Sequence, residues 1–112
     1  MKLPNSELAQ IPPEKLSDYL LSTSHPVGGS KATFFRALGY DETNTDQLAQ
    51  ALLTIARAGD VRDKIETAFG VKYVIPGELA GPASRTAAIL TVWIIEEGQA
   101  APRLVTAYPL DE

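Results

Sequence analysis

The run Ala88-Ile89-Leu90-Thr91-Val92-Trp93-Ile94-Ile95 is nearly continuous apolar sequence. Bounded by turn residues and rich in β-branched and aromatic side chains, it reads as a central strand buried on both faces. Its neighbours follow from the punctuation around it. Upstream, Ile65, Thr67 and Phe69 alternate with polar positions, and Gly70 permits a tight turn into Val71–Ile75. Pro76 cannot donate to a ladder, so it ends regular pairing or marks a bulge or an edge. Gly81-Pro82-Ala83-Ser84 is a turn, residues 98–102 form another, and Arg103–Tyr108 is the last strand. Turns of about four to seven residues are too short for crossover helices, so the four strands should form an antiparallel meander.

The first half of the chain has helical periodicity instead. Pro13 suits a first helical position, with Leu16, Tyr19 and Leu20 behind it, and that helix should end near Ser22. Ser30 is a candidate N-cap for a second helix carrying Phe34, Phe35 and Leu38 and closed by Gly39. Asn44 or Thr45 can cap a third, with Leu48, Leu52 and Ile55 on one stripe and Gly59 as its stop. The expected fold is α+β: about three N-terminal helices packed on one face of a four-stranded antiparallel meander sheet. One domain, 1–112, should hold all of it, with no repeat or linker, and with residues 1–11 and 110–112 loosely attached. Tyr73 and Trp93 read as core aromatics, while Asp41-Glu42 and Glu96-Glu97 read as solvated turn residues.

At 112 residues the chain can bury a core without metal or disulfide support. Cysteine is absent, which removes disulfides, thiolate zinc sites and cysteine nucleophiles. One histidine and no ligand-like spacing of carboxylates point away from any metal. No apolar run approaches the ~20 residues of a membrane span, and no signal-peptide pattern opens the chain. A cytoplasmic protein is expected. The net charge of −4 argues against an extended nucleic-acid binder, and DNA is not expected as a partner. A small cationic pocket remains compatible with that total.

The richest stretch for chemistry is His25-Pro26-Val27-Gly28-Gly29-Ser30-Lys31. His25 is the chain's only histidine, and its side chain titrates near neutrality, which suits a general acid or base. The alternative is an exposed loop histidine, since Pro26 holds residue 25 in an extended conformation. Lys31 sits at a helix start, where the dipole disfavours a cation. It either snorkels past the apolar stripe or, with the Gly28 and Gly29 amides, builds an anion pocket suited to phosphate. On the last strand, Arg103 can clamp a phosphate, with Thr106 and Tyr108 supplying hydroxyls. By strand parity Arg103 points away from Thr106 and Tyr108 unless a bulge intervenes. The alternative there is a strand using threonine and tyrosine for their β propensity.

The segments Leu20-Leu21-Ser22, His25-Pro26-Val27-Gly28, Lys31, Phe34–Tyr40, Thr91-Val92-Trp93-Ile94 and Pro102–Pro109 together resemble a small bacterial domain family of unknown function. More remotely, helices followed by an antiparallel sheet ending in a Thr-Ala-Tyr strand are similar to the metal-independent ribonucleases that include barnase, EndoU, colicin and RelE-type toxins. That resemblance implies His25 as general acid or base, Lys31 and Arg103 as charge stabilisers, and Thr106 and Tyr108 as orienting groups. It implies an RNA-cleaving toxin that needs no cofactor. A non-enzymatic antidote or accessory subunit, bound to a cognate protein encoded nearby, is the competing expectation and suits the acidic charge. A nucleotide binder built on Gly28-Gly29 and Lys31 is a third, without a fingerprint behind it.

Overall fold

The computed structural model of the protein describes residues 1–16 and 29–110, with side chains from Ala32 onward in the second stretch. A 3-10 turn at Ser6–Leu8 precedes α1 (Pro13–Lys15), α2 (Gly29–Ala37) and α3 (Thr45–Ala58). Four strands follow: β1 (Asp63–Thr67), β2 (Gly70–Ala80), β3 (Thr86–Glu96) and β4 (Arg103–Pro109). They form one sheet in the order β1-β2-β3-β4, each neighbour antiparallel, so the expected α+β meander is the observed fold.

Strand parity divides the sheet into two faces. On one, Tyr73, Ile75 and Leu79 of β2 stand beside Ile89 and Trp93 of β3 and Leu104 and Ala107 of β4. Phe35 and Leu38 of α2 and Leu48, Leu52, Ile55 and Ala56 of α3 close over them. On the opposite face Val74, Leu90 and Ile94 are also buried, so β3 is covered on both sides, as its apolar run requires. Within this interior Trp93 donates its indole N–H to Thr91 Oγ1 at 2.9 Å. Thr91 donates in turn to the Ile75 carbonyl at 2.8 Å. Thr91 is the one buried polar side chain of the described core, and this relay satisfies it.

α3 has the expected stripe, with Gly59 as its C-cap. A Cβ on Gly59 would lie 2.6 Å from Ile75 Cγ2, so only glycine lets the helix end this close to β2. Asn44 holds the N-cap position but makes no side-chain cap bond. Its side chain serves the preceding turn instead, accepting from Asp41 N–H at 2.8 Å and donating to Gly39 O at 2.9 Å. Thr43 hydrogen bonds hold the Asp41 carboxyl below its ordinary range, and the Arg36 guanidinium does the same for Glu42. The C-terminal end of α2 is clamped against the β2–β3 turn. Gly39 has φ +103°, Ala83 N–H donates to Leu38 O at 3.1 Å, and a Cβ on Gly81 would fall 2.0 Å from that same oxygen. Tyr40 OH donates to Ala80 O at 2.6 Å, and burial pushes its phenol pKa up.

Several expectations are corrected. Residues 1–11 are not a loose end: Leu3 and Ala9 are buried in the core. Val61 N–H donates to Met1 O at 2.7 Å, and Gln10 bridges in parallel to Arg103 beside β4. The β1–β2 turn has two residues, fewer than expected, and Phe69 lies in it, 77% exposed, rather than in the strand. α2 already begins at Gly29, one residue before the expected cap. β2 runs on through Pro76 to Ala80. The proline is tolerated because β1 pairs with β2 only as far as Val74. The stretch expected to carry the first helix on to Ser22 lies outside the described residues beyond Leu16.

Replacing Thr91 with the isosteric valine keeps the packing but strips the buried Trp93 N–H of its acceptor. Thr91→Val should cost about 1–3 kcal/mol. Urea denaturation should show a lower midpoint with an unchanged slope.

Candidate functional site

β4 carries three of the residues singled out from sequence, and its register decides which way they face. Arg103 pairs with Ile94 and Leu104 with Trp93, but Thr106 pairs with Val92 and Tyr108 with Leu90. Val105 therefore has no partner opposite it, and the register shifts between Val92 and Trp93. One extra residue in a strand reverses the parity beyond it. Ile94, Val92 and Leu90 share one face of β3, so Arg103, Thr106 and Tyr108 share one face of β4. The objection from parity is lifted by the bulge that it named. Leu104 and Ala107 turn to the helix-covered face, where both are buried. The constellation occupies the other face.

Arg103 is not alone there. Its Nη2 lies 2.6 Å from Glu96 Oε1, with the two side chains 47% and 43% exposed. Glu96 is the last residue of β3 rather than a turn residue, and the sequence reading missed it as a site neighbour. Its placement follows from the Arg103–Ile94 pairing on the turn side of the bulge, two residues from Glu96 along β3. The only sequence trace of the bulge is the three-residue separation of Leu104 and Ala107.

α2 packs against β4 and carries Gly29 at its first position, with Lys31 in its first turn. Phe35 anchors it in the core and meets Phe34 edge-on, ring centroids 5.1 Å apart. His25, Gly28 and the Lys31 side chain lie outside the described residues. Thus Arg103, Thr106 and Tyr108 share one face of β4, while α2, which carries Gly29 and Lys31, lies on the opposite face of the sheet.

Three hollows among the described residues suit phosphate poorly, and none is lined by Arg103, Thr106 or Tyr108. One of about 410 Å³ between α3 and β2 is walled by Ala51, Thr54, Ile55 and Ala58 with Gly77 and Glu78. A second contains Asp46, and a third Glu66, Glu96 and Glu97. None of the three has a Lys or Arg in its wall. The described residues also hold no cluster of three or more His, Asp or Glu side chains suited to a metal ion. No helix among them is long and apolar enough to cross a membrane.

A family model described as Domain of unknown function (DUF6883) matches residues 2–111. No curated protein matches the chain in sequence. Among solved structures, a chain of the contact-dependent growth inhibition toxin–immunity protein complex from Klebsiella pneumoniae 342 is similar, with a TM-score of 0.74. The two are 16% identical, and the match covers 96% of this chain and 97% of that one. The likeness is one of fold.

Because the Arg103–Glu96 pair is half-exposed, it adds little to folding. Arg103→Ala should change the unfolding free energy by less than about 1 kcal/mol in chemical denaturation. A larger loss would mean that Arg103 serves mainly as a structural tie.

Proposed function

For a chain that belongs to the DUF6883 family, we propose the activity of a small metal-independent RNA-cleaving toxin. The carrying observation is the Val105 bulge, which places a guanidinium and two hydroxyls on one face of β4, the face that α2 does not cover. A phosphodiester needs such a face: cationic donors for the charge that grows on its oxygens, and hydroxyls to orient it. The fold shared with a chain of a toxin–immunity complex supports the same reading.

In this proposal the RNA 2′-oxygen attacks the adjacent phosphorus and the bond from phosphorus to the 5′-oxygen breaks. The products are a 2′,3′-cyclic phosphate and a free 5′-hydroxyl. His25 makes one of the two proton transfers, taking the 2′-proton or protonating the leaving oxygen, and water makes the other. Arg103 stabilises the phosphorane charge, while Thr106 and Tyr108 hold the non-bridging oxygens; Lys31 joins them only by reaching round the β4 edge from α2. Arg103 must exchange Glu96 for phosphate, a swap that an exposed ion pair permits.

A second reading is favoured by the net charge of −4 and by that same occupied guanidinium: an antidote or accessory subunit that binds a cognate protein. Incubating total RNA with the protein and a chelator separates the two. Wild type should cleave and leave cyclic phosphate ends. His25→Ala should lose about 10²–10⁴-fold in rate, and Arg103→Ala about 10²–10³-fold. Negligible cleavage by all forms, together with normal growth on expression alone, would assign the chain to the second reading.

A further inference from the structure

The two edges of the sheet are treated differently. Beside β4, the segment through Gln10 covers the edge, with Gln10 N–H donating to Pro102 O at 2.8 Å and Leu104 N–H to Gln10 O at 3.0 Å. β1 has no such cover: all five of its residues are exposed, and no described strand pairs with its outer side. An uncovered edge is a template for another strand.

The β1 sequence says which strand fits. Asp63-Lys64-Ile65-Glu66-Thr67 can be laid antiparallel against a second copy of itself, centred on Ile65. Lys64 then stands opposite the second copy's Glu66, and Glu66 opposite its Lys64, while Ile65 meets Ile65. Charges on an edge normally keep copies apart. Here they alternate in sign so that this one register pairs them, and opposite charges directly across strands are favourable. Backbone geometry agrees. Thr67 and Gly70 close the two-residue loop as a bonded pair, and bonded pairs alternate along the ladder. Lys64 and Glu66 therefore turn their N–H and C=O groups outward. In the two-fold arrangement these groups form four hydrogen bonds between copies, and Ile65 occupies the closer, non-bonded position. Ile65 is 48% exposed, an apolar residue on an otherwise polar edge strand.

We infer that β1 is a self-association edge, joining two copies of this chain through Lys64–Glu66 pairs into one eight-stranded sheet. Five residues a side bury less than the ~1,200 Å² of the smallest stable interfaces, so the dimer forms only at high protein concentration.

Charge exchange tests this without disturbing the core. Sedimentation velocity over about 10 µM to 1 mM should show wild type passing from monomer to dimer, a range typical of weak complexes. Lys64→Glu alone and Glu66→Lys alone each place like charges opposite, and each should weaken association about tenfold. An equimolar mixture of these two variants should associate again, because each then meets its complement, and the double exchange Lys64→Glu/Glu66→Lys should restore the homodimer. Recovery in the mixture excludes misfolding of either variant. A chain monomeric throughout this range overturns the inference. So does a dimer whose affinity ignores both single exchanges and their mixture.

Discussion

Every element takes its position from β3, because a strand covered on both faces leaves its neighbours little freedom. Ile89, Thr91 and Trp93 fix one face against α2 and α3, while Leu90 and Ile94 are buried on the other. The Trp93–Thr91–Ile75 relay ties the two longest strands together inside this layer. A polar chain in a dry interior is favourable only when every member is bonded, so it also fixes the register of β2 on β3. With that register set, β1 extends the sheet at one margin and β4 at the other.

Much of this was written in the residues. The apolar run announced β3, the helical stripe and Gly59 announced α3, and the short turns announced the meander. What escaped the sequence depends on contacts between segments far apart in the chain. Residues 1–11 look like a loose end, yet Leu3 and Ala9 find the core and Gln10 finds β4. Asn44 looks like a side-chain cap, yet its amide bonds backward to Asp41 and Gly39. Phe69 satisfies strand alternation but falls in the turn, since a two-residue loop ending at Gly70 leaves no other place for it.

The candidate site shows the same division. Its residue types, a cation and two hydroxyls on a late strand, are visible without coordinates. Their common orientation is not, because strand parity alone puts Arg103 on the wrong side. A bulge is a decision of the β3–β4 ladder: Leu104 and Ala107 both gain burial only if Val105 is passed over. Burial of two core residues thus orders three surface residues. Glu96 meets Arg103 on the turn side of that bulge, where Arg103 pairs with Ile94.

The clamp at Gly39 and Gly81 has a mechanical meaning for α2. With the carbonyl of Leu38 wedged against the β2–β3 turn, the helix has a fulcrum at its C-terminal end. Nine residues make a lever of about 13 Å, so a 10° tilt displaces the far tip by ~2 Å. That tip is the one bearing Gly29 and Lys31. Small adjustments in the packing of Phe34 and Phe35 are therefore magnified where the helix begins and vanish where it ends.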